Sequence, residues 1–151
     1  MRSISAMTAI TTRPVREARS ELAAGMAPHD SLLRFALRAD ATLCAGLGLL
    51  IAMAADPLSR LSGLSSTSEW ISGAALVAYG ATLYLLAGVP GVRRVGTGVL
   101  AGNIAFAIVV TVVLIAGWLP LTELGVVAII AFTVLTLAFA YVQYLGVRRL
   151  A

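Results

Sequence analysis

The sequence has no lysine, one cysteine, one histidine and only 12% charged residues, about half the usual share for a soluble domain. Each shortage removes a class of function. Cys44 alone cannot close an intrachain disulfide, and Cys44 with the single His29 cannot build a multi-ligand zinc site. No metal or cofactor is expected. There is no Ser/His/Asp set, no phosphate-cradling loop, no HExxH and no cysteine pair for thiol exchange. An enzyme would have to work with Asp40, Glu123 and amides, so the expectation is a non-enzymatic protein. The eleven basic residues are all arginine and leave a net charge of +4. They flank apolar runs and do not line a face with stacking aromatics, which excludes nucleic acid as the expected partner.

Apolar residues are what the chain does have, at 60% of the total. Charges avoid four stretches entirely: 41–55, 70–92, 95–122 and 124–147. A bilayer core takes about 20 mostly apolar residues per helix. The last three stretches are long enough alone, and the first becomes so if its helix begins among residues 35–39. The expected fold is all-α, an integral membrane four-helix bundle with helices at about 37–55, 70–88, 95–117 and 124–146, packed up-down-up-down within a domain at 31–150. Asp56-Pro57 is expected to end the first helix, because proline disfavours helical geometry in the residue before it. Ser66 and Glu69 fit a capping box that opens the second near Thr67. The second ends at Val89-Pro90-Gly91 and the third at Trp118-Leu119-Pro120. The stretch between the first two helices, 56–69, is polar and serine-rich.

Residues 1–30 form an arginine-rich tail without the apolar core of a signal peptide. Pro14 to Met26 carries Val15, Ala18, Leu22 and Met26 at helical spacing, which suits a surface helix on lipid headgroups as well as a frayed tail. Met26 is an alternative start, which leaves His29 in an exposed tail either way.

Orientation follows from arginine placement, since basic residues near span ends stay on the cytoplasmic side. With both termini inside, the cytoplasmic face holds every arginine but Arg60. Dropping residues 1–25 still leaves Arg34, Arg38, Arg93, Arg94, Arg148 and Arg149 against one. The expected location is the plasma (inner) membrane, multi-pass, with the bilayer as first partner. Trp70 and Trp118 then anchor the outer interface, and Tyr141 and Tyr144 the inner one. Arg34 and Arg38 reach back to headgroups from the start of the first helix.

Polar residues inside the spans are the candidate site. Asp40 is the deepest carboxylate, two residues beyond Arg38, and is expected at the inner interface, paired or hydrated. Asn103 lies nine positions beyond Arg94, roughly 13 Å by helix rise. Tyr84 is at a similar depth, and Gln143 somewhat nearer the cytoplasm. Asp40, Tyr84, Asn103 and Gln143 are expected to form an interhelical cluster worth about 0.6 kcal/mol per bond. It serves either as structural glue or as a ligand or proton site open to the cytoplasm. Asp40, Cys44, Gly48 and Ala52 share one helix face, read as a packing seam. Gly98 and Gly102 make a GxxxG pair that lets another backbone approach closely. Thr111 is expected to bond back to its own helix, and Tyr79 and Glu123 to be interface or loop residues.

Leu37-Arg38-Ala39-Asp40-Ala41, Asn103, Gly117-Trp118 with Leu121-Thr122, and Gln143 before Gly146-Val147-Arg148-Arg149 resemble a group of uncharacterised actinobacterial four-helix integral membrane proteins. The likeness covers about 31–150 and implies the fold and the membrane location; it lends no catalytic residue. An all-arginine, alanine- and glycine-rich composition fits a high-GC genome of that kind. The plan is also similar to that of DoxX-like four-helix proteins, without a motif that secures the link. Small multidrug transporters share the helix count but rely on a buried glutamate in the first helix, which is lacking here.

Two functions are expected on these grounds. The first is a helix-packing or interaction protein whose helices meet each other, a second copy or another membrane protein through Gly98, Gly102 and Asn103. The alternative is an oligomeric carrier for a small solute or protons, using Asp40, Tyr84, Asn103 and Gln143.

Overall fold

The computed structural model describes residues 30–150; the tail up to His29, with Met26, lies outside the described residues. Among the described residues there are five helices and no strands. They are α1 (Ser31–Met53), α2 (Ala55–Ser62), α3 (Ser66–Leu86), α4 (Val92–Ala116) and α5 (Glu123–Arg148). All but α2 are long and apolar enough to cross a membrane.

The helix boundaries differ from expectation for local reasons. α1 begins six residues before 37, because Arg34 is accommodated inside the helix. Its guanidinium pairs with Asp30 at 3.5 Å and donates to the carbonyls of Ala87 and Val89 at 2.7 and 3.2 Å. α1 ends at Ala54, whose backbone leaves helical geometry (φ −105°, ψ 24°), and not at Asp56-Pro57. Pro57 instead occupies the first turn of α2, where backbone N–H groups lack an intrahelical partner and a missing one costs nothing. The polar stretch between the first two long helices therefore contains a helix of its own. α2 stops at Gly63, whose φ of +88° requires a residue without Cβ. α3 is capped by Ser65, not Ser66: the Ser65 hydroxyl accepts the Ser68 N–H at 3.1 Å. Glu69 does not complete a capping box and accepts instead from the Ser62 hydroxyl. α5 opens at Thr122, whose hydroxyl accepts the Gly125 N–H at 3.1 Å.

α1 is the central helix, packed on α3, α5 and α4. Its seam with α3 is made of small residues. A Cβ on Gly48 would meet the Gly73 carbonyl oxygen at 2.6 Å, and one on Gly80 would meet the Ala41 carbonyl oxygen at 2.5 Å. The two backbones thus touch, a geometry that suits association where lipid removes the usual apolar driving force. Leu33 is fully buried and nests between Gly96 of α4 and Gly146 of α5. With Leu37, Ala41, Leu83, Ala87 and Val92 it forms the core. α4 and α5 also meet edge-to-face at Phe106 and Phe132, ring centroids 5.9 Å apart.

At the opposite end, α2 docks on the start of α5. The Thr122 hydroxyl donates to the Leu61 carbonyl, and the Thr122 N–H to the Ser62 carbonyl at 2.9 Å. Gly125 lies directly on the Ser62 main chain.

Most large apolar side chains point outward. In the most apolar window of α4, and likewise of α5, only 11% of residues are buried. Phe35, Met53, Leu85, Ile115 and Val134 are all exposed.

Candidate functional site

Each long helix contributes a polar side chain to one place. From α1 come Asp40 and Cys44, from α3 Tyr79, from α4 Asn103 and from α5 Gln143. Asp40, Asn103 and Gln143 are 4%, 6% and 0% exposed. Gln143 Nε2 donates to Asp40 Oδ2 at 2.8 Å, the shortest contact of the group. Asn103 Nδ2 donates to Gln143 Oε1 at 3.1 Å and reaches Asp40 Oδ2 at 3.5 Å. The Cys44 thiol donates to Asp40 Oδ1 at 3.4 Å, and the Tyr79 hydroxyl to Asn103 Oδ1 at 3.4 Å. Every hydrogen bond to Asp40 thus comes from a neutral donor. Among the described residues, the one ion pair is Arg34 with Asp30.

Asp40 is thus buried within the protein and paired by hydrogen bonds, without a basic partner among the described residues. Three helices enclose it. Arg38 turns away on the outer side of α1, with its guanidinium 5.9 Å from the centre of the Tyr84 ring. Tyr84 itself is 53% exposed and stands apart from the cluster it was expected to join. Its place is taken by Tyr79. Five residues along a helix is about 140° of rotation, so equal depth does not bring both tyrosines to one face. Tyr79 and Cys44 are the members sequence reasoning missed. The signal that finds Tyr79 is its position beside Gly80, within the seven-residue spacing of Gly73 and Gly80 that marks the face of α3 turned to α1.

The cluster does not open toward the arginine-bearing helix ends. Leu33 and Leu37 precede Asp40 on α1, Leu83 follows Tyr79 on α3, and Val92 precedes Asn103 on α4; all four are fully or almost fully buried. An apolar plug lies on that side. By helix rise, Asp40 sits roughly 13 Å from the first residue of α1.

The remaining candidates are placed as follows. Gly48 packs against α3, together with Ala52, which meets Gly73. Gly98 and Gly102 face open space, with nothing near where a Cβ would stand; the glycines that bring helices together are Gly48, Gly73, Gly80, Gly96, Gly125 and Gly146. Thr111 bonds back to the Ala107 carbonyl at 2.7 Å. Trp70, Trp118, Tyr141 and Tyr144 are exposed, as are Arg93, Arg94, Arg148 and Arg149.

Set against protein-family models, curated proteins and solved structures, the chain matches none of them.

Chemically, the cluster is a set of direct contacts joining all four long helices. Interhelical hydrogen bonds in membranes average about 0.6 kcal/mol, with a maximum near 1.7. Two of the interhelical contacts here are 3.1 Å or shorter and two are long, so the group contributes on the order of 1–3 kcal/mol. Its value lies also in register, because sliding or rotating any one helix leaves a polar group unpaired in an apolar interior.

Proposed function

We propose that the chain is a non-enzymatic, multi-pass protein of the plasma membrane that acts through its outward helix faces. In this reading it is threaded up-down-up-down with both termini in the cytoplasm, and the Asp40, Asn103 and Gln143 cluster locks the helices in register. The observation that carries it is the apolar surface of α4 and α5, where only 11% of the residues in the most apolar part of each helix are buried. Exposed apolar area of that extent is not tolerated in water and marks lipid or a membrane partner. The outward Gly98 and Gly102 leave α4 able to approach a second copy or another membrane helix closely.

Alkaline carbonate washing of cell membranes tests it. The protein is expected to stay in the pellet and to enter solution only with detergent. Recovery in the carbonate supernatant contradicts the proposal.

One observation favours a carrier as second reading: Asp40 is a buried carboxylate without a basic partner among the described residues, and such groups in spans mark transport paths by default. Against it stands the apolar plug on the arginine-bearing side. Asn103→Leu and Asp40→Asn decide between the two. Unchanged solute uptake in cells carrying either variant removes the carrier; loss of uptake with normal insertion removes the lock as the cluster's sole role.

A further inference from the structure

The side of α1 and α3 turned away from the polar cluster carries a groove of about 610 Å³ whose lining includes Thr42, Gly46, Leu49, Ala81 and Tyr84. That volume lies within the roughly 300–1,000 Å³ range of small-molecule sites. Its floor is open because the residues are small; a Cβ added to Gly46 would meet nothing within 4 Å. Thr42 turns its hydroxyl back to the Arg38 carbonyl at 2.8 Å, so its polar group is satisfied and the groove stays apolar. From Thr42 to Leu49 the groove runs roughly 10 Å along α1.

One end of this apolar trough is charged. Arg38 lies one helical turn before Thr42, its guanidinium over the Tyr84 ring at 5.9 Å, and no carboxylate pairs with it among the described residues. A planar five-donor cation suits a phosphate oxygen pair. An apolar channel that ends in such a cation matches a molecule with a hydrocarbon chain and an anionic head.

We propose that the groove between α1 and α3 binds one anionic phospholipid, with an acyl chain along Thr42, Gly46 and Ala81 and its phosphate at Arg38. This rests on the membrane reading above. Phosphatidylcholine carries the same phosphate, but its own trimethylammonium offsets the charge that Arg38 meets. A basic residue at the membrane surface contributes about 1 kcal/mol to the attraction of a net-anionic lipid, so the preference over a zwitterionic one is roughly fivefold.

The test is native mass spectrometry of the detergent-purified full chain, titrated with palmitoyl-oleoyl phosphatidylglycerol or the matching phosphatidylcholine. The wild type is expected to retain one phosphatidylglycerol with roughly fivefold preference. Arg38→Gln, on an exposed side chain, brings the two lipids to parity. Gly46→Leu and Ala81→Leu each reduce retention of both lipids while helicity by circular dichroism is unchanged. Parity in the wild type, or an unchanged preference in Arg38→Gln, overturns the headgroup assignment; full retention in both groove variants overturns the seat. If the groove variants instead turn a dimer into a monomer without altering lipid retention, the occupant is a second copy and the proposal fails. A protein that stays soluble without detergent sinks the membrane reading itself, which separates the two failures.

Discussion

α1 and α3 hold together differently from α4 and α5. The first pair meets backbone to backbone along Gly48, Gly73 and Gly80, where an added Cβ would come within 2.6 Å of main-chain oxygen. The second pair also packs closely, and its specific side-chain links are the Phe106–Phe132 edge contact and the Asn103–Gln143 hydrogen bond at 3.1 Å. In an apolar solvent, apolar surface gains little by pairing with apolar surface, so helices associate by close packing or by directed polar bonds. The α1–α3 contact rests on close backbone packing, the α4–α5 contact adds a polar bond, and Asp40 joins the two pairs. The first is consequently sensitive to volume, the second also to polarity.

That contrast can be broken by substitution. The largest effect is expected from Gly80→Leu, because the Ala41 and Ala45 main chain cannot yield to a side chain. Overpacking costs about 3 kcal/mol or more in such a place, read as loss of the folded state in a denaturing-detergent titration. An unaltered midpoint would show that the α1–α3 contact is looser than described. Next comes Asn103→Leu, which removes both amide bonds that α4 offers to Asp40 and Gln143; a cost of about 1–2 kcal/mol is expected, with the protein still inserted. A smaller effect separates the two tyrosines. Tyr79→Phe is expected to cost about 0.5 kcal/mol and Tyr84→Phe nothing measurable in the same titration; the reverse order would return Tyr84 to the cluster. Smallest of all is Gly98→Ala with Gly102→Ala, expected within about 0.5 kcal/mol of wild type as on any open surface. A large loss of monomer stability there would mean that α4 packs through these glycines inside the bundle.

The contrast also shows what the residues disclosed in advance. The four long helices were legible because charge is absent from uninterrupted stretches, a property of composition that needs no tertiary detail. Asp40, Asn103 and Gln143 were legible as a group because helix rise converts residue number into depth. Rotation about the helix axis was not, and that is why Tyr84 was chosen over Tyr79. Glycine pairs mislead for the same reason: Gly98 and Gly102 have the spacing of a packing motif, yet only the phase of α4 against its neighbours decides which face is used. α2 was hidden by composition. Its eight residues include a proline, two serines, an aspartate and an arginine, and in the fold it packs on α3 and docks through Ser62 to Thr122 and Gly125 at the start of α5.

The central claim is a chain threaded through a bilayer four times and held by contacts between its long helices. Reporter fusions active on one face of the membrane only, placed before Ser31, within residues 56–65, within residues 118–122 and after Leu150, test it most directly. The account predicts that the two terminal fusions report the cytoplasmic face and the two internal ones the opposite face. Terminal fusions on opposite faces, or internal fusions sharing the face of the ends, would contradict it.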